Sequence, residues 1–171
     1  MYEYRCKVVN IIDGDTVDVD IDLGFGVWMH KERVRLFGID TPESRTSDRI
    51  EKVFGEAAKQ RLTSLLSSEA TLISQISKMG ENMKGKFGRI LGDFKTINDQ
   101  VISTTLMEEG HAVAYNGGDK EAVQAQHLKN RQRLIDEGKV PTPDGMTLTP
   151  NKVNTFKATK PPLRKKKNKK K

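Results

Sequence analysis

One cysteine in 171 residues rules out an internal disulfide and suits a reducing compartment. Cys6 lies in a stretch rich in β-branched residues and reads as a small core side chain on a strand. No apolar run comes near the ~20 residues that span a bilayer. The opening MYEYRCKVV lacks the apolar core of an export signal, so the expectation is an intracellular, cytoplasmic protein with no membrane partner. The three histidines, His30, His111 and His127, show no helical metal spacing and no cysteine cluster accompanies them, which argues against zinc. There is no Gly-x-Ser-x-Gly elbow, and Gly24-Phe25-Gly26 lacks the Lys-Ser/Thr of a phosphate loop.

Net basic charge is confined to one end. The formal net charge is +7, and residues 164–171, RKKKNKKK, hold seven basic side chains and no acid. Residues 1–163 are therefore formally neutral. A charge block of this kind is a solvated tail that polyanions attract. Residues 139–163 are dominated by proline, threonine and lysine, and little order is expected there. The organisation expected is a single body over residues 1–138, long enough to bury a real core, then an extension over 139–163 and a basic tail over 164–171. A monomer is expected.

Residues 4–12 are rich in β-branched side chains and predict a strand, ended by the turn pair Asp13-Gly14. Residues 16–23 alternate, with Val17, Val19, Ile21 and Leu23 on one face and Asp18, Asp20 and Asp22 on the other, as in a half-buried strand. The acidic run is not a calcium loop: counted from Asp18, Leu23 takes the glycine position and Met29 that of the bidentate acid. Residues 27–39 predict a third strand, with Trp28 a packing residue or loop anchor. A helix follows, carrying Phe54, Ala57, Ala58, Leu62, Leu65 and Leu66 on one stripe. Residues 70–76 and 89–95 predict two more strands around a Gly/Lys loop. Asn98 or Asp99 is expected to cap a short helix carrying Val101, Ile102 and Leu106. Asp119 is expected to cap a last one carrying Val123, Leu128, Leu134 and Ile135 and stopping at Gly138. This order predicts an α+β protein with a mainly β core, a five-stranded OB-fold β-barrel with about three packed α-helices.

The stretch VRLFGIDTPE, residues 34–43, concentrates the chemistry. Strand-like residues give way at Asp40-Thr41-Pro42, because proline removes a ladder donor. Arg35 and Asp40 have opposite parity on a pleated strand. A bulge or bend at Gly38 is expected to bring them to one site. Arg35 stands inside an apolar strand and needs an anionic partner, either an internal carboxylate or a ligand phosphate. Arg35 and Arg89 together could fork onto phosphate oxygens, or make two structural ion pairs. Asp15 and Asp40 could supply oxygen ligands to a hard cation, although aspartate is also an ordinary turn residue.

Taken together, Asp13-Gly14-Asp15-Thr16, Arg35, Ile39-Asp40-Thr41-Pro42-Glu43, Lys86-Phe87-Gly88-Arg89, Val113-Ala114-Tyr115 and Gln126-His127-Leu128 resemble the staphylococcal (thermonuclease-type) nuclease family, over roughly residues 5–138. The resemblance implies the same barrel with helices, and a calcium-dependent phosphodiesterase that cuts DNA and RNA with little sequence preference and leaves 3′-phosphate ends. By that resemblance Asp15 and Asp40 are metal-binding carboxylates, the Thr41 carbonyl a third ligand, Arg35 and Arg89 the grip on the scissile phosphate, and Glu43 the general base. Lys86 and Tyr115 then contact the nucleotide's phosphate and sugar. Gly117 stands where the family's type member carries a second tyrosine. If the protein works where free calcium is low, Mg²⁺ or another divalent ion could replace Ca²⁺. The competing expectation is a catalytically silent OB-fold module that only binds nucleic acid. Sparse aromatics and a neutral body weigh against it.

Overall fold

The structure, a computed structural model, describes residues 1–76, 83–85, 88–96 and 98–147. Among the described residues, seven strands and three helices run in the order β1 (Glu3–Asp13), β2 (Thr16–Asp22), β3 (Trp28–Leu36), β4 (Ile39–Asp40), α1 (Arg49–Leu65), β5 (Glu69–Ser74), β6 (Ile90–Lys95), α2 (Ile102–Glu108), β7 (Val113–Ala114) and α3 (Lys120–Asp136). Five of the strands close a barrel in the order β1-β2-β3-β6-β5. β1 is long enough to pair with both β2 and β5, and β3 pairs with β6 in parallel, which completes the ring. This is the α+β, OB-fold architecture that the pattern predicted.

The alternation of β2 sets which face is buried. Val17 and Val19 are fully buried, as are Val34 and Cys6 on the neighbouring strands. Cys6 is thus a core residue, and burial pushes its thiol up to about 11. The opposite face of β2 is not simply wet: Asp18 pairs with Arg33, Asp20 with His30 and Asp22 with Arg5. Trp28 packs beneath the cations of Arg5 and Lys7, 5.6 and 5.0 Å from its ring centre.

Three local expectations need correction. The third strand does not run unbroken through residue 39. It ends at Leu36; Gly38 takes φ +78°, a turn conformation open to glycine, and Ile39–Asp40 leave the barrel to pair with β7. Neither Asn98 nor Asp99 caps α2. Its N-cap is Val101, without a side-chain cap bond, and Asp93 of β6 does that work instead. Asp93 Oδ1 accepts from the Ser103 amide at 3.2 Å, and Oδ2 takes a short bond from the Ser103 hydroxyl. Lastly, Leu128 is 51% exposed rather than packed. The buried stripe of α3 is His127, Asn130, Arg131 and Leu134, which has helical spacing but is mostly polar.

Asp48 caps α1 by accepting from the Ile50 and Glu51 amides, and Asp119 caps α3 as expected. Past Gly138 the chain stays packed for a few residues: Val140, 3% exposed, joins Phe54 and Leu134 in a second small cluster with Met146 against it. The basic tail and residues 148–163 lie outside the described residues. Among the described residues, no helix is long and apolar enough to cross a membrane.

Candidate active site

The site forms where the β1–β2 turn, the end of β3 and the loop after β4 meet. The Asp13-Gly14-Asp15 turn is held by the Leu36 amide, which donates to the Asp15 carbonyl at 2.8 Å. Asp13 Oδ1 accepts from the Gly14 amide at 2.9 Å and the Ser44 amide at 3.3 Å, so it ties the turn to the Glu43 loop. The helix α1 packs tightly on both. A Cβ added at Gly14 would meet Ala58 Cβ at 2.8 Å, and one added at Gly55 would run into the Glu43 and Ser44 backbone.

The bend at Gly38 does what parity forbids to a regular strand. Arg35 Nη2 reaches Asp40 Oδ1 and the Ile39 carbonyl, each at 3.4 Å, while Nη1 abuts Asp15 Oδ2. A guanidinium thus lies between two carboxylates. Burial pulls Arg35 below its usual value, opposed by Asp40 and reinforced by Arg89. Asp15 takes a further bond from its neighbour, Thr16 Oγ1, at 2.8 Å. Asp40 Oδ2 hydrogen-bonds His127 Nε2 at 3.0 Å.

Glu43 stands exposed at the rim, yet its carboxyl is raised above the usual glutamate range. Partial desolvation is the main cause, followed by the Asp13 carboxylate and a side-chain hydrogen bond with it, then Asp40; Arg35 acts the other way. Asp15, Arg35, Glu43 and Arg89 line one cleft of about 630 Å³. Thr41 is buried beside Gly14. Tyr115 follows β7, its amide donating to the Gly38 carbonyl at 2.8 Å, and does not line this cleft. Lys86 lies outside the described residues.

The candidate ligands Asp15, Asp40 and the Thr41 carbonyl offer oxygen, which suits a hard cation over a soft one. Among the described residues, however, no three His, Cys, Asp or Glu side chains are gathered closely enough to hold an ion as arranged. The guanidinium of Arg35 supplies the positive charge between Asp15 and Asp40 instead.

A family model described as "Staphylococcal nuclease homologue" matches residues 33–139, more than half of the chain. The chain belongs to this family. Among curated staphylococcal nuclease relatives and their kin, it is 30% identical over 132 residues to a thermonuclease of Staphylococcus intermedius, covering 74% of this chain and 72% of that one. It is 31% identical over 144 residues to a micrococcal nuclease of Shigella flexneri, covering 77% and 72%. It is also 38% identical over 121 residues to Protein ParB of Escherichia coli, covering 66% of this chain and only 58% of that protein.

Two residues of the site escaped the sequence. Asp13 read only as a turn residue beside Asp15, and its bonds to Ser44 and its effect on Glu43 appear only in the fold. His127 gave no metal spacing, and its place beside Asp40 depends on how α3 docks. The helical repeat of His127, Asn130, Arg131 and Leu134 was the signal that could have found it.

Proposed function

We propose that this member of the staphylococcal nuclease family is a metal-dependent nuclease that hydrolyses DNA and RNA phosphodiesters with little sequence preference. The reading rests on one observation above all: Arg35, Arg89 and Glu43 share a cleft with Asp15, and Asp40 adjoins them. Asp15, Asp40 and the backbone carbonyl of Thr41 are the groups that would hold a divalent cation, Ca²⁺ or Mg²⁺. Such an ion, when bound, polarises a phosphate oxygen and orients water.

The chain's own residues supply the rest. Arg35 and Arg89 bind the scissile phosphate and stabilise the charge that builds on its oxygens, a contribution of ~3–4 kcal/mol per well-placed donor. Glu43 takes a proton from the attacking water. A raised pKa makes its carboxylate a stronger base while leaving it ionised above its titration. In-line attack that expels the 5′ oxygen leaves a 3′-phosphate. Lys86 and Tyr115 act on neighbouring phosphate and sugar.

Cleavage of single-stranded DNA in EDTA, Ca²⁺ and Mg²⁺, beside Glu43→Gln, tests this. Cleavage that needs the metal and falls ~100–10,000-fold in the variant is expected. Tight binding without cleavage under any metal would overturn it in favour of a silent binding module.

A further inference from the structure

The cleft extends past the residues that the proposed reaction uses. Its wall continues along β3, where Arg33 and Lys31 follow Arg35 away from the carboxylates. Lys31 owes its place to an irregularity. Val19 pairs with Glu32 and Ile21 with Met29, so two residues of β3, His30 and Lys31, oppose the single Asp20 of β2. Lys31 sits at φ +54°, left-handed backbone that a long side chain rarely adopts, and its amide donates to Asp20 Oδ1 at 2.9 Å.

Core packing explains the bulge. The extra residue lets Met29 reach the core although Val34 and Leu36 face it with the opposite parity. Packing does not explain the lysine, since glycine or asparagine fits that conformation at less cost. A bulge beside a site commonly re-aims a side chain, and strain retained at one position points to use. The cations around Lys31 are engaged. Arg33 donates to both Asp18 oxygens at 2.7 and 2.9 Å, and His30 faces Asp20 at 3.2 Å. Among the described residues, the ammonium of Lys31 meets no carboxylate, and neither does Arg45, which lines the same cleft from the loop after Glu43.

We infer that Lys31, with Arg45, forms a second phosphate site that grips a backbone phosphate of single-stranded nucleic acid flanking the scissile one. The inference deepens the nuclease reading and rests on it for the identity of the polyanion. Lys31 is four residues from Arg35, about 13 Å along a strand, too far for the scissile phosphate and placed for a flanking one. A cation without an internal counter-ion is free to neutralise a phosphate, and each such contact steepens the salt dependence by about 0.7 for a single strand. Substrates of several nucleotides gain from this contact; a dinucleotide does not reach it.

The test compares a single-stranded DNA decamer with a dinucleotide at several salt concentrations, using the wild type, Lys31→Gln, Lys31→Gly and Lys52→Gln. Lys31→Gly relieves the positive φ, so a loss in that variant is not a loss of fold. Lys52→Gln removes equal charge from α1, outside the cleft. The ratio of kcat/KM for decamer over dinucleotide is expected to fall about threefold to tenfold in both Lys31 variants, with a salt slope about 0.7 smaller. An equal fall on both substrates, or one shared by Lys52→Gln, overturns the site. If the wild type cuts neither substrate, anisotropy of a labelled decamer separates the two claims. A salt slope that depends on Lys31 then upholds the site while the nuclease reading fails, and one that does not overturns both.

Discussion

Arg35 carries the charge balance of the site, because its guanidinium lies between Asp15 and Asp40 in a largely buried position. Arg35→Gln is expected to lower kcat on single-stranded DNA by ~100–1,000-fold, the worth of one preorganised donor. Arg35→Lys is expected to recover little of it, since an ammonium cannot fork onto two acceptors. Full activity in the lysine variant would show that charge alone suffices. Arg35, Asp40 and Glu43 were legible because they crowd into ten consecutive residues whose breaks, Gly38 and Pro42, declare themselves. Asp13 and His127 were not. Their roles arise from contacts with Ser44 and Asp40, 31 and 87 residues away, which no local pattern encodes.

At the scale of the element, α1 is what presses the site together. Its glycine at position 55 lies against the Glu43–Ser44 backbone with no room for a methyl group. Gly55→Ala is expected to destabilise by about 1–3 kcal/mol through overpacking, and to lower cleavage further by shifting Glu43. Activity assayed well below the variant's melting range separates the two effects. The helix was legible from its apolar stripe, whereas α3 misled because its buried face is polar and Leu128 faces water. The start of α2 misled for a different reason: its cap comes from Asp93 on the preceding strand, ten residues before Ser103.

That carboxyl makes a second prediction for the element. Burial raises Asp93 above the usual range against the pull of Ser103 and the Phe94 amide. The native state therefore holds the proton more tightly than the unfolded chain. Asp93's contribution is present below the ordinary aspartate value of 3.8 and is lost as pH rises through the folded value. Urea unfolding across that window is expected to show wild-type stability falling relative to Asp93→Asn. A parallel pH dependence in the two proteins would contradict it.

For the whole molecule, closure of the barrel and appended charge are separate matters. The strand segments were readable because β2 alternates and β1 and β5 are rich in β-branched and apolar residues. The return of β3 alongside β6 was not, since parallel pairing joins segments far apart in sequence. The seven basic residues of 164–171 stand apart from a formally neutral remainder. Deleting them is expected to weaken DNA association and flatten its salt dependence, while cleavage of a dinucleotide survives. Loss of dinucleotide cleavage on that deletion would place the tail within the chemistry.

The cleft is proposed to break phosphodiesters. The most direct measurement is the mass of the products formed from a defined single-stranded DNA oligomer incubated with the wild-type protein and Ca²⁺. Shortened fragments ending in a 3′-phosphate are expected, and an intact oligomer when EDTA replaces the ion. An oligomer left whole with both Ca²⁺ and Mg²⁺, or fragments that form equally well in EDTA, would contradict it.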